Sequence, residues 1–370
     1  MGNTWWYILY NFSLWLISYF LVFSIWKKNK YSITNISNKK QYNSVFFTFL
    51  LFSLFTFYGG DKDGYREMVE GGYKDAAYYE FYNMESFYVS LADFVGESFL
   101  LWKLVVYGVA IFITYITIKR LKIENYSTLI AFVFFLLISY GSTRAVLAYS
   151  IFLFGFTFLD GRLYYKILGY AIIFSSLIFH GSMILPICLS ILCEIRLTKK
   201  RIILLIISFP FAVYLFNIII DFVVNSTNFL TTYSGNKFDT YANSEEIVSG
   251  SGSLLMKVYT LLNYFTFIPL LYWSLKAEVK QMLPSVLSKI VRVSFLIVYC
   301  SFLIRFSNLP NTYIIFTRYF TMMPFFLYVS FPYILNLRIT TKQLIHIYPY
   351  IPLCRNILFF LMSMYYESFK

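Results

Sequence analysis

Long apolar runs alternate with short basic connectors along most of this chain. A run of about 18 or more apolar residues with few charges predicts a membrane-crossing helix. The first run, Trp5 to Trp26, holds 22 residues and no charge. It has no basic leading segment and no small-residue cleavage site, and tryptophans at its ends suit headgroup anchors, so it is expected to be retained as a span. Further runs lie near 44–58, 99–118, 127–141, 143–159, 164–179, 181–193, 202–224, 254–275, 288–304, 313–335 and 344–366. Together they predict an all-α polytopic membrane protein with eleven or twelve crossings. The runs 127–141 and 181–193 have the length of re-entrant segments, and 344–366 is interrupted by Pro349, Pro352 and Arg355.

The connectors set the orientation. Lys27, Lys28, Lys30, Lys39 and Lys40 lie in one, and Lys119, Arg120 and Lys122 in the next. Arg162 and Lys166 follow, then Arg196, Lys199, Lys200 and Arg201; Lys276, Lys280, Lys289 and Arg292; and Arg338 and Lys342. If every run crosses, these 20 of the 31 Lys and Arg share one side. The positive-inside rule makes that side cytoplasmic and puts the N-terminus outside. Residues 59–98 and 225–253 then form two large outer loops. The first carries nine acids, Asp61, Asp63, Glu67, Glu70, Asp75, Glu80, Glu85, Asp93 and Glu97, against Lys62, Arg66 and Lys74. Its many tyrosines predict short helices along the membrane surface rather than a disordered tail. The second is rich in Ser, Asn and Gly. No internal repeat or separate soluble domain is evident, so residues 1–370 are expected to form a single integral membrane domain.

Composition agrees. With 59% hydrophobic and 13% charged residues, and a mean hydropathy of +0.64, the chain has too little polar surface for a soluble globule. Its net charge of +13 sits in the connectors, so no nucleic-acid partner is implied. Phe and Tyr, 42 and 35 in number, suit sugar stacking, but an AT-rich genome inflates them too. Cys188, Cys193, Cys300 and Cys354 lie in apolar segments and read as small hydrophobes. With only His180 and His346, no zinc-type cluster forms at recognisable spacing, and neither a metal nor a cofactor is expected. Gly-rich phosphate loops and the Gly-x-Ser-x-Gly elbow are absent from the sequence, so any work draws on a substrate or an ion gradient.

The candidate chemistry gathers at the outer ends of predicted spans. Arg144 follows Ser142-Thr143 between two apolar runs, and His180 separates two more. Arg305 closes a span before Asn308-Leu309-Pro310-Asn311, and Arg318 lies about 10 Å down the next helix at 1.5 Å per residue. Ionisable groups inside a membrane are costly and point to function. Few acids share the depth of Arg144, Arg305 and Arg318, and guanidinium forks match phosphate oxygens, so an anionic ligand is attractive. The competing account is snorkelling to headgroups, or pairing with the acidic loop. For His180 it is a satisfied helix-end histidine. Asp61-Lys62-Asp63 spells the D-x-D that holds metal-diphosphate in many sugar transferases, although solvation alone can explain three letters in an acidic loop.

Several stretches resemble the EpsG-like family of Wzy-type polysaccharide polymerases. Asp61-Lys-Asp63-Gly-Tyr65 and Met84-Glu85-Ser86-Phe87-Tyr88 are similar to its acidic-Tyr element and Glu-centred helix. Ser142-Thr143-Arg144-Ala145-Val146-Leu147-Ala148 resembles its Arg-then-small-apolar helix start, with Ala145 where similar proteins have Gln. Phe179-His180-Gly181-Ser182-Met183-Ile184-Leu185-Pro186 resembles its His-Ser-apolar-Pro turn, and Arg318-Tyr319-Phe320 with Pro324 its late Arg-Tyr-Phe element. The resemblance implies a membrane glycosyltransferase with a GT-C-like fold. Such an enzyme polymerises undecaprenyl-pyrophosphate-linked repeat units at the outer face of the bacterial cytoplasmic membrane, for capsule, exopolysaccharide or O-antigen. Implied partners are the lipid-linked glycans, membrane lipid, a flippase and a chain-length regulator. On that footing Arg144, Arg318 and Arg305 are expected to bind pyrophosphate. His180 is the first choice of general base, because its ordinary pKa suits neutral pH. Asp61, Asp63 and Glu85 stand behind it, since apolar surroundings can raise a carboxylate pKa. A flippase or exporter of the same glycan is the chief alternative. It would call for polar groups at both faces or the midplane, and often repeat symmetry. Another membrane transferase, such as an O-acyltransferase using His346, is the third.

Overall fold

A computed structural model gives the architecture, and it describes residues 65–66, 69–71, 86–122, 143–226, 254–308 and 312–330, with Leu9, Ser13, Cys354 and Leu358. The regular structure among these residues is all helical, joined by short turns, with no strand among them. The predicted spans 5–26, 44–58, 127–141 and 344–366, most of the 59–98 segment and nearly all of 225–253 lie outside the described residues.

The helices are α1 (Ser86–Phe94), α2 (Phe99–Arg120), α3 (Thr143–Phe156), α4 (Leu163–Phe179), α5 (Ile184–Ser190), α6 (Lys199–Ile207), α7 (Phe209–Ser226), α8 (Leu254–Val279), α9 (Ser285–Arg305) and α10 (Thr312–Leu327). Among the described residues two helices, α2 and α9, are long and apolar enough to cross a membrane, and the bent pair α6–α7 makes a third if it is one span. Shorter apolar helices cover Ala145–Phe156, Leu163–Phe179 and Gly181–Glu194.

Local chemistry sets the boundaries. α1 ends where Gly96 and Glu97 take φ of +64° and +62°, so their N–H groups turn back to the carbonyls of Asp93 and Ala92, as a Gly-terminated helix requires. Lys119 and Arg120 in the last turn of α2 complement its dipole. The predicted span 202–224 is instead two helices at 59°. Pro210 has no N–H to give the carbonyl four residues back, and its ring opposes a continuous helix through Ser208. The predicted 181–193 crossing is composite: three-ten turns at Gly181–Met183 and Ile191–Glu194 flank the seven residues of α5.

The core is a bundle of α2, α3, α4, α9 and α10, with α8 packed along α9 and α10. Thr114 of α2 donates to Ser150 of α3 at 3.1 Å, and Ser274 of α8 meets Ser330 at 3.0 Å. Tyr149 and Phe152 of α3 pack on Phe325 and Phe326 of α10. α3 and α4 cross at two glycines. A Cβ on Gly155 would lie 2.8 Å from the Gly169 carbonyl oxygen, and one on Gly169 would lie 2.9 Å from that of Gly155. Only residues without a side chain allow so close a crossing.

Candidate functional site

Polar groups occupy two levels of the bundle, one on either side of this glycine crossing. Below it, Lys289 of α9 is 6% exposed and reaches Asp160 at 3.0 Å and Glu194 at 2.8 Å. It also donates to the Leu159 carbonyl at 3.1 Å. Arg292, one turn on, pairs with Glu278 of α8 at 2.6 Å, with Glu278 only 1% exposed. Its guanidinium also donates to the Cys193 and Glu194 carbonyls. Ser285 donates to Asp160. Buried ion pairs persist only where hydrogen bonds replace lost hydration. This cluster meets that condition and pins the α3–α4 turn, the end of the 181–194 segment, α8 and α9 together.

Above the crossing lie the positions predicted for chemistry. Eleven residues separate Gly155 from Arg144 on α3, and eleven separate Gly169 from His180 at the end of α4, about 17 Å of rise on each. On α9, Lys289 touches Leu159 about 6 Å below the crossing, and Arg305 follows sixteen residues later, about 18 Å above it. α10 runs parallel to α3, with Tyr149 and Phe325 rings 5.3 Å apart. Phe316 and Phe320 of α10 both meet Phe302 of α9, at 5.1 and 6.1 Å, so Arg318 between them lies level with Phe302, about 5 Å below Arg305. The backbones of Arg144, His180, Arg305 and Arg318 therefore share a level within about one helical turn.

His180 is extended (φ −163°, ψ 117°), its N–H bonded to the Ser176 carbonyl and its own carbonyl accepting from Met183. It is half-buried. The preceding Phe179 meets Phe87 of α1 edge-on at 4.7 Å, and Trp102 of α2 donates to the Tyr88 carbonyl at 3.3 Å. α1, from the segment read as the first outer loop, is thus held beside His180. Arg305 is exposed, and its guanidinium donates to Thr312 at 3.2 Å. For Arg144 and Arg318 the description ends at the backbone, and Asp61, Asp63 and Glu85 lie outside the described residues.

A model of the EpsG family matches residues 39–370. The chain belongs to the EpsG family. This is a family of Wzy-like polysaccharide polymerases and exopolysaccharide biosynthesis proteins, and the present member is a membrane protein with a role in polysaccharide biosynthesis. No curated protein and no solved structure matches the chain.

Two polar residues of this EpsG-family member escaped the sequence analysis. Lys103 lies in the predicted span 99–118 and is fully buried, its ammonium 5.2 Å from the Phe99 ring centroid. The signal was a single lysine one turn into an apolar run. Asn217, in the predicted span 202–224, accepts the Asn308 backbone N–H at 3.0 Å and ties α7 to the α9–α10 hairpin. An amide inside such a run carries the same message as a charge, more quietly. Lys289 and Arg292, counted among the connector charges, are largely buried and paired.

Proposed function

We propose that this chain polymerises undecaprenyl-pyrophosphate-linked oligosaccharide repeat units at the outer face of the bacterial cytoplasmic membrane, within a multi-pass, GT-C-like helical frame. The observation that carries this is the common level of Arg144, Arg305, Arg318 and His180 in a chain of the EpsG family. Three arginines at the level of one histidine suit a diphosphate leaving group and a proton acceptor. A hydroxyl of the acceptor's terminal sugar attacks the anomeric carbon of the donor glycan. The bond from that carbon to the pyrophosphate oxygen breaks, His180 takes the hydroxyl proton, and undecaprenyl pyrophosphate departs with the electron pair. Arginines around the pyrophosphate stabilise charge as it develops on the leaving oxygen. Asp61, Asp63 and Glu85 are the reserve acceptors.

The test is reconstitution. Purified protein supplied with lipid-linked repeat units, and neither nucleotide nor ion gradient, is expected to lengthen glycan and release undecaprenyl pyrophosphate. His180→Ala should bind the lipid-linked glycan nearly as wild type yet leave it at one repeat. Transbilayer movement of the substrate without lengthening overturns the proposal and makes the chain a transporter.

A further inference from the structure

Beside Arg305, the α9–α10 hairpin and the first half of α7 carry a group of side chains that the proposed transfer step does not use. Phe306 is 59% exposed. One edge is braced by Phe209 at 6.0 Å and 84°, and Phe209 is braced in turn by Tyr299 at 5.6 Å and 83°. The hairpin backbone is fixed around this ring. Phe306 N–H bonds the Phe302 carbonyl and Ser307 N–H that of Ile304, while Asn308 N–H is held by Asn217.

That last bond orients the Asn217 amide. A backbone N–H requires an oxygen, so Oδ1 faces Asn308 and the NH2 group is left as its donating end. Asn308 itself is exposed. Among the described residues neither side-chain NH2 makes a hydrogen bond. A braced ring beside two amides and a guanidinium combines a stacking face with hydrogen-bonding groups, whereas a headgroup anchor needs only the amphipathic ring. The combination matches a pyranose. The C–H face of the sugar stacks on the negative face of an aromatic ring, and its neighbouring hydroxyls both donate and accept, as amides do.

We propose that Phe306, Asn308 and Asn217 form a saccharide subsite, which seats a sugar of the lipid-linked glycan next to the pyrophosphate at Arg305. It deepens the polymerase reading and rests on it for the identity of the glycan. The ring provides stacking, the amides read hydroxyl configuration, and the bond between Asn217 and Asn308 keeps them in register.

Two measurements test it on the full-length protein in lipid nanodiscs. The first titrates oligosaccharide released by mild acid from the producing strain's own polysaccharide, followed by saturation-transfer NMR. The second is polymerisation kinetics with lipid-linked repeat units. Phe306→Leu keeps an apolar anchor but loses the ring, and Asn308→Ala loses the amide while keeping the backbone N–H that Asn217 holds. Each is expected to weaken the oligosaccharide about three- to tenfold, the scale of one stacked ring or hydrogen bond, and to raise KM with kcat unchanged. Phe306→Trp should bind as wild type. Wild-type affinity and KM in both Phe306→Leu and Asn308→Ala overturn the subsite and leave the polymerase standing. Weakened titration in those variants, with no polymerisation even by wild type, keeps the subsite and overturns the polymerase instead.

Discussion

Lys289 and Arg292 sit three residues apart on α9, and their surroundings differ from those of the exposed Lys280 and Arg196. Glu278, the partner of Arg292, is almost wholly enclosed, so removing it strands a cation. Glu278→Leu is expected to cost about 3–5 kcal/mol, the range for breaking a buried pair, and Glu278→Gln less, because it retains an acceptor. Thermal unfolding in detergent would show the order, and equal losses would contradict it. The sequence does carry a trace of this cluster: Asp160, Glu194 and Glu278 each lie within two residues of a basic connector residue. The sign of a connector charge fixes topology, whereas its pairing depends on which turns meet in space. At the upper level an arginine or histidine beside an apolar run stands out in the sequence, and its role there rests on the variants that follow. There, Arg144→Lys keeps charge but loses the guanidinium fork, and is expected to lower polymerisation despite normal insertion. Arg144→Ala and Arg318→Ala should lower it further. Full-length polymer from both alanine variants at normal protein levels would leave only headgroup snorkelling.

Among elements, apolar runs located the helices well and their interruptions poorly. Pro210 divides the run 202–224, yet Pro269 lies within α8 without ending it. The difference is position: Pro210 falls in the first turn of its helix, where a missing N–H does least harm, so the chain can restart there. Gly155 and Gly169 read as unremarkable small residues until the crossing of α3 and α4 gives them a purpose. A Cβ at Gly155 meets a backbone oxygen that cannot rotate away, so Gly155→Ala is expected to cost about 1–3 kcal/mol of overpacking. Gly181→Ala is the control, since no atom of the described residues lies within 4 Å of a Cβ there. Equal melting temperatures for the two variants would show that the crossing tolerates separation. Residues across such a crossing are far apart in sequence, and a single chain gives no periodic signal for them.

For the whole molecule, alternating parity predicts which end of the bundle faces which compartment. In a cysteine-free background, a cysteine at Glu97 is expected to react with a membrane-impermeant thiol reagent in intact cells. Cysteines at Lys122 and Lys280 should not. The reverse pattern would invert the orientation and remove the outer-face site with it. The length of α4 has a consequence for the membrane itself. Its 17 residues rise only about 26 Å, and the hydrocarbon core of a typical bilayer is about 30 Å thick. Leu163, Ile167, Phe174 and Ile178 of α4 are exposed along that short height. As the crossing expected for 164–179, α4 would require lipid against this face to compress or tilt, a mismatch costing fractions of a kcal/mol per Å. A dimple there would bring headgroups closer to the depth of Arg318, so a diphosphate carried by a lipid would sink less far to meet it. Turnover is therefore expected to rise as phosphatidylcholine acyl chains are shortened from 20 to about 14 carbons, and a flat response would mean that the bilayer keeps its thickness beside α4.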